Sequence, residues 1–190
     1  MISSSGEKLE PMEGYFRTKG YVPGGIITNS RNENFDIEAV PPFLRVLLVT
    51  DGTVTKSLEA YFWEPVVVDN LGQSPVTATS NNDWVGIKQG EVALQREVRL
   101  RGANSNTVYA YAKSLLRLEF LPEQVRNDLL EGRIGIGELL RECGLETYRE
   151  ILDVGHADAS AESLYRTYRI VIQHHPAILI TETFPCSVYR

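Results

Sequence analysis

Residues 169–184 read RIVIQHHPAILITETF, and this stretch decides the fold of the chain. Its two β-branched runs, 169–173 and 177–184, are separated by a short turn that contains a proline, a pattern typical of a β-hairpin. Both runs are apolar enough to lie in the middle of a sheet. In the second run, the period of two places on one face Ile178, Ile180, Glu182 and Phe184. Glu182 is therefore a carboxylate on an apolar face, where it needs a partner because an isolated buried charge is costly.

The clearest alternation in the chain lies at residues 92–101 and predicts a half-buried antiparallel strand. One face of this strand carries Val92, Leu94, Arg96, Val98 and Leu100. Arg96 is the exception among them, because it places a guanidinium at an inward position. A partner strand follows at 107–118 after a glycine-containing turn. One of its faces carries Val108, Ala110, Ala112 and Ser114. Such small side chains either allow tight packing against a helix or leave room for a ligand.

The other segments predict helices around these strands. We expect helices at residues 43–48, 54–63, 121–130, 138–141 and 146–152, a short strand at 66–68, and a polar, turn-rich region at 70–86. Hairpins and helices in this order, without βαβ alternation, predict an α+β fold with a single antiparallel β-sheet flanked by helices. Residues 1–38 are expected to be a loosely ordered arm with a short ordered piece near 21–27, and residues 39–190 the folded domain.

The composition argues against several classes of function. The chain of 190 residues is 43% hydrophobic, enough for a full core, and its net charge of −6 argues against a nucleic-acid or anionic-membrane surface. The N-terminal sequence lacks the basic and apolar regions of a signal peptide, so we expect a cytoplasmic protein. The two cysteines, Cys143 and Cys186, have no metal-ligand spacing, and the three histidines lie in predicted loops or turns. No metal site is therefore predicted.

Two ionisable residues, Arg96 and Glu182, occupy inward positions on two different predicted strands. They could form a buried structural ion pair that joins the strands. Alternatively, they could be the two ends of a pocket for a small anion that carries a hydroxyl group at its far end. Arginine suits the second interpretation, because a guanidinium can hold a carboxylate through two parallel hydrogen bonds. The spacing of the residues leaves both interpretations open.

Several short segments, in this order and spacing, resemble the chorismate lyase (chorismate pyruvate-lyase) family, particularly its shorter cyanobacterial and actinobacterial branch. The segments are DGTVT (51–55), QREV (95–98), GANS (102–105), AKSL (112–115), LP (121–122), GIGE (135–138), YR (168–169) and TETF (181–184). Each segment alone is weak, but together they cover most of residues 43–190. The N-terminal arm and residues 70–90 do not match the family pattern.

The resemblance implies an antiparallel sheet with a closed internal ligand pocket. It implies that Arg96 binds the ring carboxylate of the substrate and that Glu182 lies near the ring hydroxyl. Backbone groups at Val54 and Ile136 would help to hold the carboxylate and close the site, and Arg169 is a weaker candidate for the side-chain carboxylate. Ile136 stands where the best-studied branch has leucine. The implied reaction converts chorismate into 4-hydroxybenzoate and pyruvate without a metal or an organic cofactor.

Two alternatives to this reaction remain open at the level of sequence. The same fold serves as the ligand-sensing domain of many bacterial repressors, so the chain could be a non-catalytic module that binds small aromatic acids. It could also be an enzyme of the same fold that acts on a different secondary metabolite. The sequence favours catalysis because it retains both Arg96 and Glu182, and it does not indicate the oligomeric state or the use of the product.

Overall fold

The framework of the structure is a six-stranded antiparallel sheet, preceded by a separate two-stranded ribbon. The structure is a computed structural model that describes residues 20–131 and 135–189. The ribbon consists of β1 (Ile26–Thr28) and β2 (Asn34–Asp36). The strands of the main sheet are β3 (Val66–Thr77), β4 (Val92–Gly102), β5 (Val108–Leu116), β6 (Thr147–His156), β7 (Ser163–Ile172) and β8 (His175–Pro185). Across the sheet they follow the order β3-β4-β5-β8-β7-β6.

Helices cover one face of this sheet. They are α1 (Pro42–Val49), α2 (Val54–Phe62), α3 (Glu123–Glu131) and α4 (Ile136–Glu142). Short 3-10 turns lie at Leu118–Phe120 and Cys186–Tyr189. The predicted α+β fold with an antiparallel sheet flanked by helices is therefore confirmed. Among the described residues, no helix is long and apolar enough to cross a membrane.

The two faces of the sheet have different surroundings. We call the inner face the one that packs against the helices, where strand residues such as Val98 and Ile180 share one core with Leu47 and Leu58. The outer face carries a smaller apolar cluster, in which Leu179 lies among residues such as Val85 of the segment between β3 and β4. Because side chains alternate along each strand, neighbouring residues of one strand lie in these two different environments.

The C-terminal hairpin has the predicted form. β7 and β8 pair from Ser163 opposite Pro185 to Ile172 opposite His175, and the turn lies at residues 173–174. The first arm is longer than predicted, because β7 begins at Ser163 rather than near residue 169. β8 also pairs with β5, so the hairpin lies in the middle of the sheet and not at its edge.

Two other predictions of local structure were wrong. The predicted helix at 146–152 is the strand β6, which pairs along its whole length with β7. A register shift between Ile151 and Asp153 interrupts its alternation and so hides the strand pattern. The polar region that follows residue 68 continues as β3 to Thr77. This strand lies at the edge of the sheet, where Pro75 and the bulge between Asn70 and Gly72 are tolerated.

The segment expected to be a loosely ordered arm divides into two parts. Residues 1–19 lie outside the described residues. Residues 20–38 contact the domain, because Phe35 is buried in the core shared with the helices. The backbone N–H of Ser30 donates to Asp153 of β6 at 2.9 Å, and the Tyr165 hydroxyl donates to the same carboxylate at 2.7 Å. The ribbon is thus fixed to the end of the sheet formed by β6 and β7.

Candidate active site

A cavity lies between the inner face of the sheet and the starts of α2 and α4. The space within it, including its open mouth, is about 650 Å³. Its floor is formed by strand residues, among them Arg96, Val98, Ala112, Ser114, Ile180 and Glu182. Its roof is formed by residues 52–55 and 135–138. The cavity therefore contains both residues that the strand patterns place at inward positions.

Small side chains on β5 make room for this cavity. Ser114 lies opposite Arg96 on one side and opposite Ile180 on the other, and Ala112 lies opposite Glu182. β5 is thus the strand that separates Arg96 from Glu182. The run of short side chains on β5, which sequence left open between tight packing and ligand space, lines the floor at these two positions.

Arg96 lies at the β4 side of the cavity and is almost fully buried, with 2% of its surface exposed. Burial lowers the pKa of its guanidinium from the ordinary value. An arginine stays protonated despite such a shift, because its ordinary pKa is above 12. The cavity therefore has a buried cation in its floor, where an anion would be attracted more strongly than in water.

Glu182 forms its ion pair with Arg166 of the neighbouring strand β7. The Arg166 Nε atom donates to the Glu182 Oε2 atom at 2.7 Å, and Arg166 is fully buried. The Tyr168 hydroxyl donates to the other carboxylate oxygen, Oε1, at 3.2 Å. Burial, supported by the nearby Glu182 charge, raises the pKa of Tyr168, so this hydroxyl keeps its proton. Glu182 is thus held at both oxygens, and its Oε1 side faces a residue that also lines the cavity.

Arg166 also connects Glu182 to the roof of the cavity. Its Nη1 atom donates to the carbonyl oxygens of Leu47 and Thr50, each at 2.6 Å. These carbonyls lie at the C-terminal end of α1, where backbone acceptors lack helical partners. One buried guanidinium therefore fixes both the carboxylate in the floor and the end of the helix that leads into residues 52–55.

The roof presents the N-terminal ends of two helices. Val54 begins α2 after Thr53, and Ile136 begins α4 after Gly135; among the described residues, neither helix has a side-chain cap. The first N–H groups of a helix have no partner within the helix, and the end of α2 adds partial positive charge. Val54 and Ile136 both line the cavity. The backbone at this position can donate to a bound carboxylate.

The family of the chain follows from comparison with known proteins. A family model described as chorismate pyruvate-lyase Rv2949c-like matches residues 48–190. The chain belongs to this family. The chorismate pyruvate-lyase of Mycobacterium leprae is 29% identical over 177 residues, which cover 86% of this chain and 84% of that protein. The chorismate pyruvate-lyase of Mycobacterium tuberculosis strain H37Rv is 28% identical over 165 residues, which cover 77% and 81%. The predicted family and the prediction of an enzyme are thus confirmed.

Solved structures support the fold. The crystal structure of PhnF from Mycobacterium smegmatis has a TM-score of 0.52 at 15% identity, with 72% of this chain and 65% of that chain covered. The crystal structure of the effector domain of the same protein has a TM-score of 0.51 at 15% identity, with 70% of this chain and 88% of that chain covered. At this identity the likeness concerns the fold alone.

The structure places one residue implied by the family resemblance, Arg169, away from the cavity. Arg169 lies on the outer face, where its Nε atom donates to Glu150 at 2.6 Å and its Nη1 atom to the carbonyl of Trp84 at 3.0 Å. It is not among the residues that line the cavity. The structure therefore does not bring Arg169 to the cavity, because its neighbour Tyr168 is the residue of this pair that faces inward.

The sequence patterns did not identify three residues at or beside the cavity, which are Arg149, Arg166 and Tyr168. Arg166 and Tyr168 belong to the part of β7 that precedes the strand predicted from residue 169. Extending the period of two backwards from Ile170 would have placed both on the inner face. The sequence pattern did not identify Arg149, because it predicts a helix where the structure has the strand β6.

Among the described residues, no group of three or more His, Cys, Asp or Glu side chains is arranged to hold a metal ion.

Proposed function

We propose that this member of the family converts chorismate into 4-hydroxybenzoate and pyruvate without a metal or an organic cofactor. The observation that carries the proposal is the inner-face cavity, which has a buried guanidinium and a buried carboxylate on strands two positions apart in its floor. The names of the relatives from Mycobacterium, which match most of this chain, support the same reaction.

Arg96 would bind the ring carboxylate and Glu182 the ring hydroxyl. Two strand spacings place the backbones of β4 and β8 about 10 Å apart, a separation that suits a single six-membered ring between their side chains. Arg96 can hold a carboxylate through two hydrogen bonds, and the first N–H groups at Val54 and Ile136 can complete its coordination. Glu182 Oε1 is an acceptor for the hydroxyl, since Oε2 is engaged by Arg166.

The chemistry is a redox-neutral elimination. The ring carbon that bears the hydroxyl loses its hydrogen as a proton, and the neighbouring bond between ring carbon and ether oxygen breaks. The electron pair of the broken C–H bond completes the aromatic ring, and enolpyruvate leaves with the ether oxygen. Enolpyruvate then takes up a proton at its methylene carbon to become pyruvate, so atoms and charge balance without an oxidant or reductant.

The protein would contribute orientation and fixed charge to this reaction. A buried cation and buried hydrogen-bond donors are already in place before the substrate binds, so they need no reorganisation during the reaction. Glu182 is also the carboxylate closest to the hydroxyl-bearing carbon in this binding mode, and it would assist removal of the proton from that carbon. Arg166 and Tyr168 act as positioning residues, because they hold the two oxygens of Glu182.

The test is to incubate the purified protein, dialysed against EDTA, with chorismate and to measure 4-hydroxybenzoate and pyruvate together. We expect both products to appear in equal amounts and at the rate of the undialysed protein. If chorismate remains intact while 4-hydroxybenzoate raises the melting temperature, the cavity binds aromatic acids without catalysis. If neither effect is observed, the family fold serves another substrate in this protein.

A further inference from the structure

Arg149 is a second arginine that lines the cavity and that the proposed function has not yet used. It lies on β6 and is partly buried. Its Nη1 atom donates to the backbone carbonyl of Asp51 at 3.2 Å, and a Cβ atom built at Gly137 would lie 3.4 Å from its Nη2 atom. The guanidinium therefore lies where the two roof segments approach each other. Among the described residues, no carboxylate forms an ion pair with it.

The charge inventory of the cavity gives Arg149 a specific place. Within residues 20–131 and 135–189, the charged side chains that line it belong to Arg96, Glu138, Arg149 and Glu182. Glu182 pairs with Arg166, and Glu138 is exposed on α4 and lies 4.0 Å from the Arg141 guanidinium. Arg149 is thus a cation directed to the cavity whose described partner is a neutral carbonyl. A guanidinium in such a position can accept an anionic ligand through its remaining N–H groups.

The strand order fixes where that anion would lie. Arg96 is on β4, and β5 separates it from the next three strands of the sheet. These strands carry, in order across the inner face, Glu182 on β8, Tyr168 on β7 and Arg149 on β6. A ring held between Arg96 and Glu182 therefore has its hydroxyl end directed towards β7 and β6. In chorismate, the enolpyruvyl group is attached next to the hydroxyl-bearing carbon. Its carboxylate would extend past Tyr168 towards the Arg149 guanidinium.

We propose that Arg149 binds the carboxylate of the enolpyruvyl group, so that Arg96 and Arg149 hold the two carboxylates of the substrate at opposite ends. This inference rests on the proposed function. It assigns to Arg149 the role that the family resemblance suggested for Arg169. It also gives the site a means to distinguish the dicarboxylate substrate from its aromatic product, which has lost the group that Arg149 binds.

The test compares two ligands in matched variants. We expect Arg149→Gln to raise the KM for chorismate about tenfold to a hundredfold, the range for loss of hydrogen bonds to a charged group. The same variant should bind 4-hydroxybenzoate within about twofold of the parent, because a single bound carboxylate at Arg96 is unaffected. Arg149→Lys should recover part of the loss by restoring the charge. Arg169→Gln, which removes the same side chain from the outer face, is the matched control and should leave both values unchanged.

The outcomes separate this inference from the proposed function. If the parent converts chorismate and Arg149→Gln keeps the parental KM, Arg149 does not bind substrate and only this inference fails. If Arg149→Gln weakens 4-hydroxybenzoate and chorismate equally, Arg149 acts on the shape of the site, and the inference is likewise overturned. If the parent does not convert chorismate at all, the proposed function fails and the inference fails with it.

Discussion

The inner and outer faces of the sheet use arginine in different ways. On the outer face, the Nε atoms of Arg99 and Arg101 donate to one Asp69 oxygen at 2.8 and 2.9 Å, and Arg169 pairs with Glu150. These outer side chains remain partly exposed. On the inner face, Arg96 and Arg166 are almost fully buried in an apolar environment. The difference is sharpest where Arg149 and Glu150 follow each other in β6, since one lines the cavity and the other binds Arg169.

This difference indicates where charge serves function. Partly exposed ion pairs are screened by water and contribute little to stability. Their presence on a protein surface does not indicate a functional site. Buried charges incur a desolvation penalty that their pairing only partly offsets, so a buried ion pair is weak evidence for stability. A protein that retains such charges around a cavity has a reason other than stability. We infer that the reason here is binding of a doubly negative, hydroxylated ring.

The largest difference between the faces is expected in stability. Arg166→Met leaves Glu182 as an uncompensated buried charge and should lower the free energy of unfolding by about 3–5 kcal/mol. Arg169→Met, the matched change on the outer face, should lower it by about 1 kcal/mol or less. Urea denaturation followed by circular dichroism measures both values. Similar losses in the two variants would contradict the distinction between the faces.

A double variant strengthens this comparison. Arg166→Met combined with Glu182→Leu removes both charges, and replacement of a buried pair by apolar side chains is often neutral or stabilising. We therefore expect it to recover most of the stability that Arg166→Met loses, while it loses turnover. A double variant that is as unstable as the single one would show that Arg166 acts mainly through its bonds to Leu47 and Thr50.

A second difference is expected in turnover. Glu182→Gln keeps the shape of the side chain but removes its charge, and we expect kcat for chorismate to fall about 10²- to 10⁴-fold, the contribution of a general acid or base. Binding of 4-hydroxybenzoate, measured by calorimetry, should weaken much less. Glu150→Gln on the outer face serves as the control and should retain parental kcat. Equal losses of turnover and product binding in Glu182→Gln would argue against a catalytic role for this carboxylate.

The smallest expected effect is the contribution of the outer-face residue Asp69 to stability at acidic pH. Hydrogen bonds from Arg101 and Arg99 lower the pKa of Asp69 below its ordinary value of 3.8. The unfolded chain therefore binds a proton at Asp69 more readily than the folded chain does. The stabilisation by the Asp69 carboxylate is fully present above the pKa of the unfolded chain. It is lost as the pH falls through the lower pKa of the folded chain. Asp69→Asn should flatten the decrease of the urea midpoint below about pH 4. Its turnover at neutral pH should equal that of the parent. If the urea midpoint of the variant decreases with falling pH as steeply as that of the parent, Asp69 does not have this role.

The same contrast explains what could be predicted from the sequence. Arg96 and Glu182 lie in segments 92–100 and 178–184, where apolar residues alternate without a break, so the period of two was sufficient to place them inward. Arg166 obeys the same rule, but the mixed sequence of residues 163–168 concealed the start of β7. Arg149 could not be placed in this way. The bulge between Ile151 and Asp153 breaks the alternation of β6, and only pairing with β7 defines the face on which Arg149 lies.

The alternation of residues also could not predict which side chains from distant segments contact each other. Alternation shows that Glu182 faces the core, but it does not show which cation on a neighbouring strand reaches it. The partner, Arg166, is selected by the register of β7 against β8, which pairs Arg166 directly with Glu182. Similarly, Arg169 has the charge to bind a carboxylate, but its position one residue after Tyr168 assigns it to the outer face.

The most direct test of the account is binding of 4-hydroxybenzoate, by isothermal titration calorimetry, to the parent and to two arginine variants of β4. Arg99→Gln changes the outer face, and Arg96→Gln changes the inner face three residues earlier in the same strand. We predict that Arg99→Gln binds as the parent does, whereas Arg96→Gln remains folded by circular dichroism and shows no detectable binding. If Arg96→Gln binds 4-hydroxybenzoate with parental affinity, Arg96 is a structural residue and the cavity does not hold an aromatic carboxylate in the way proposed.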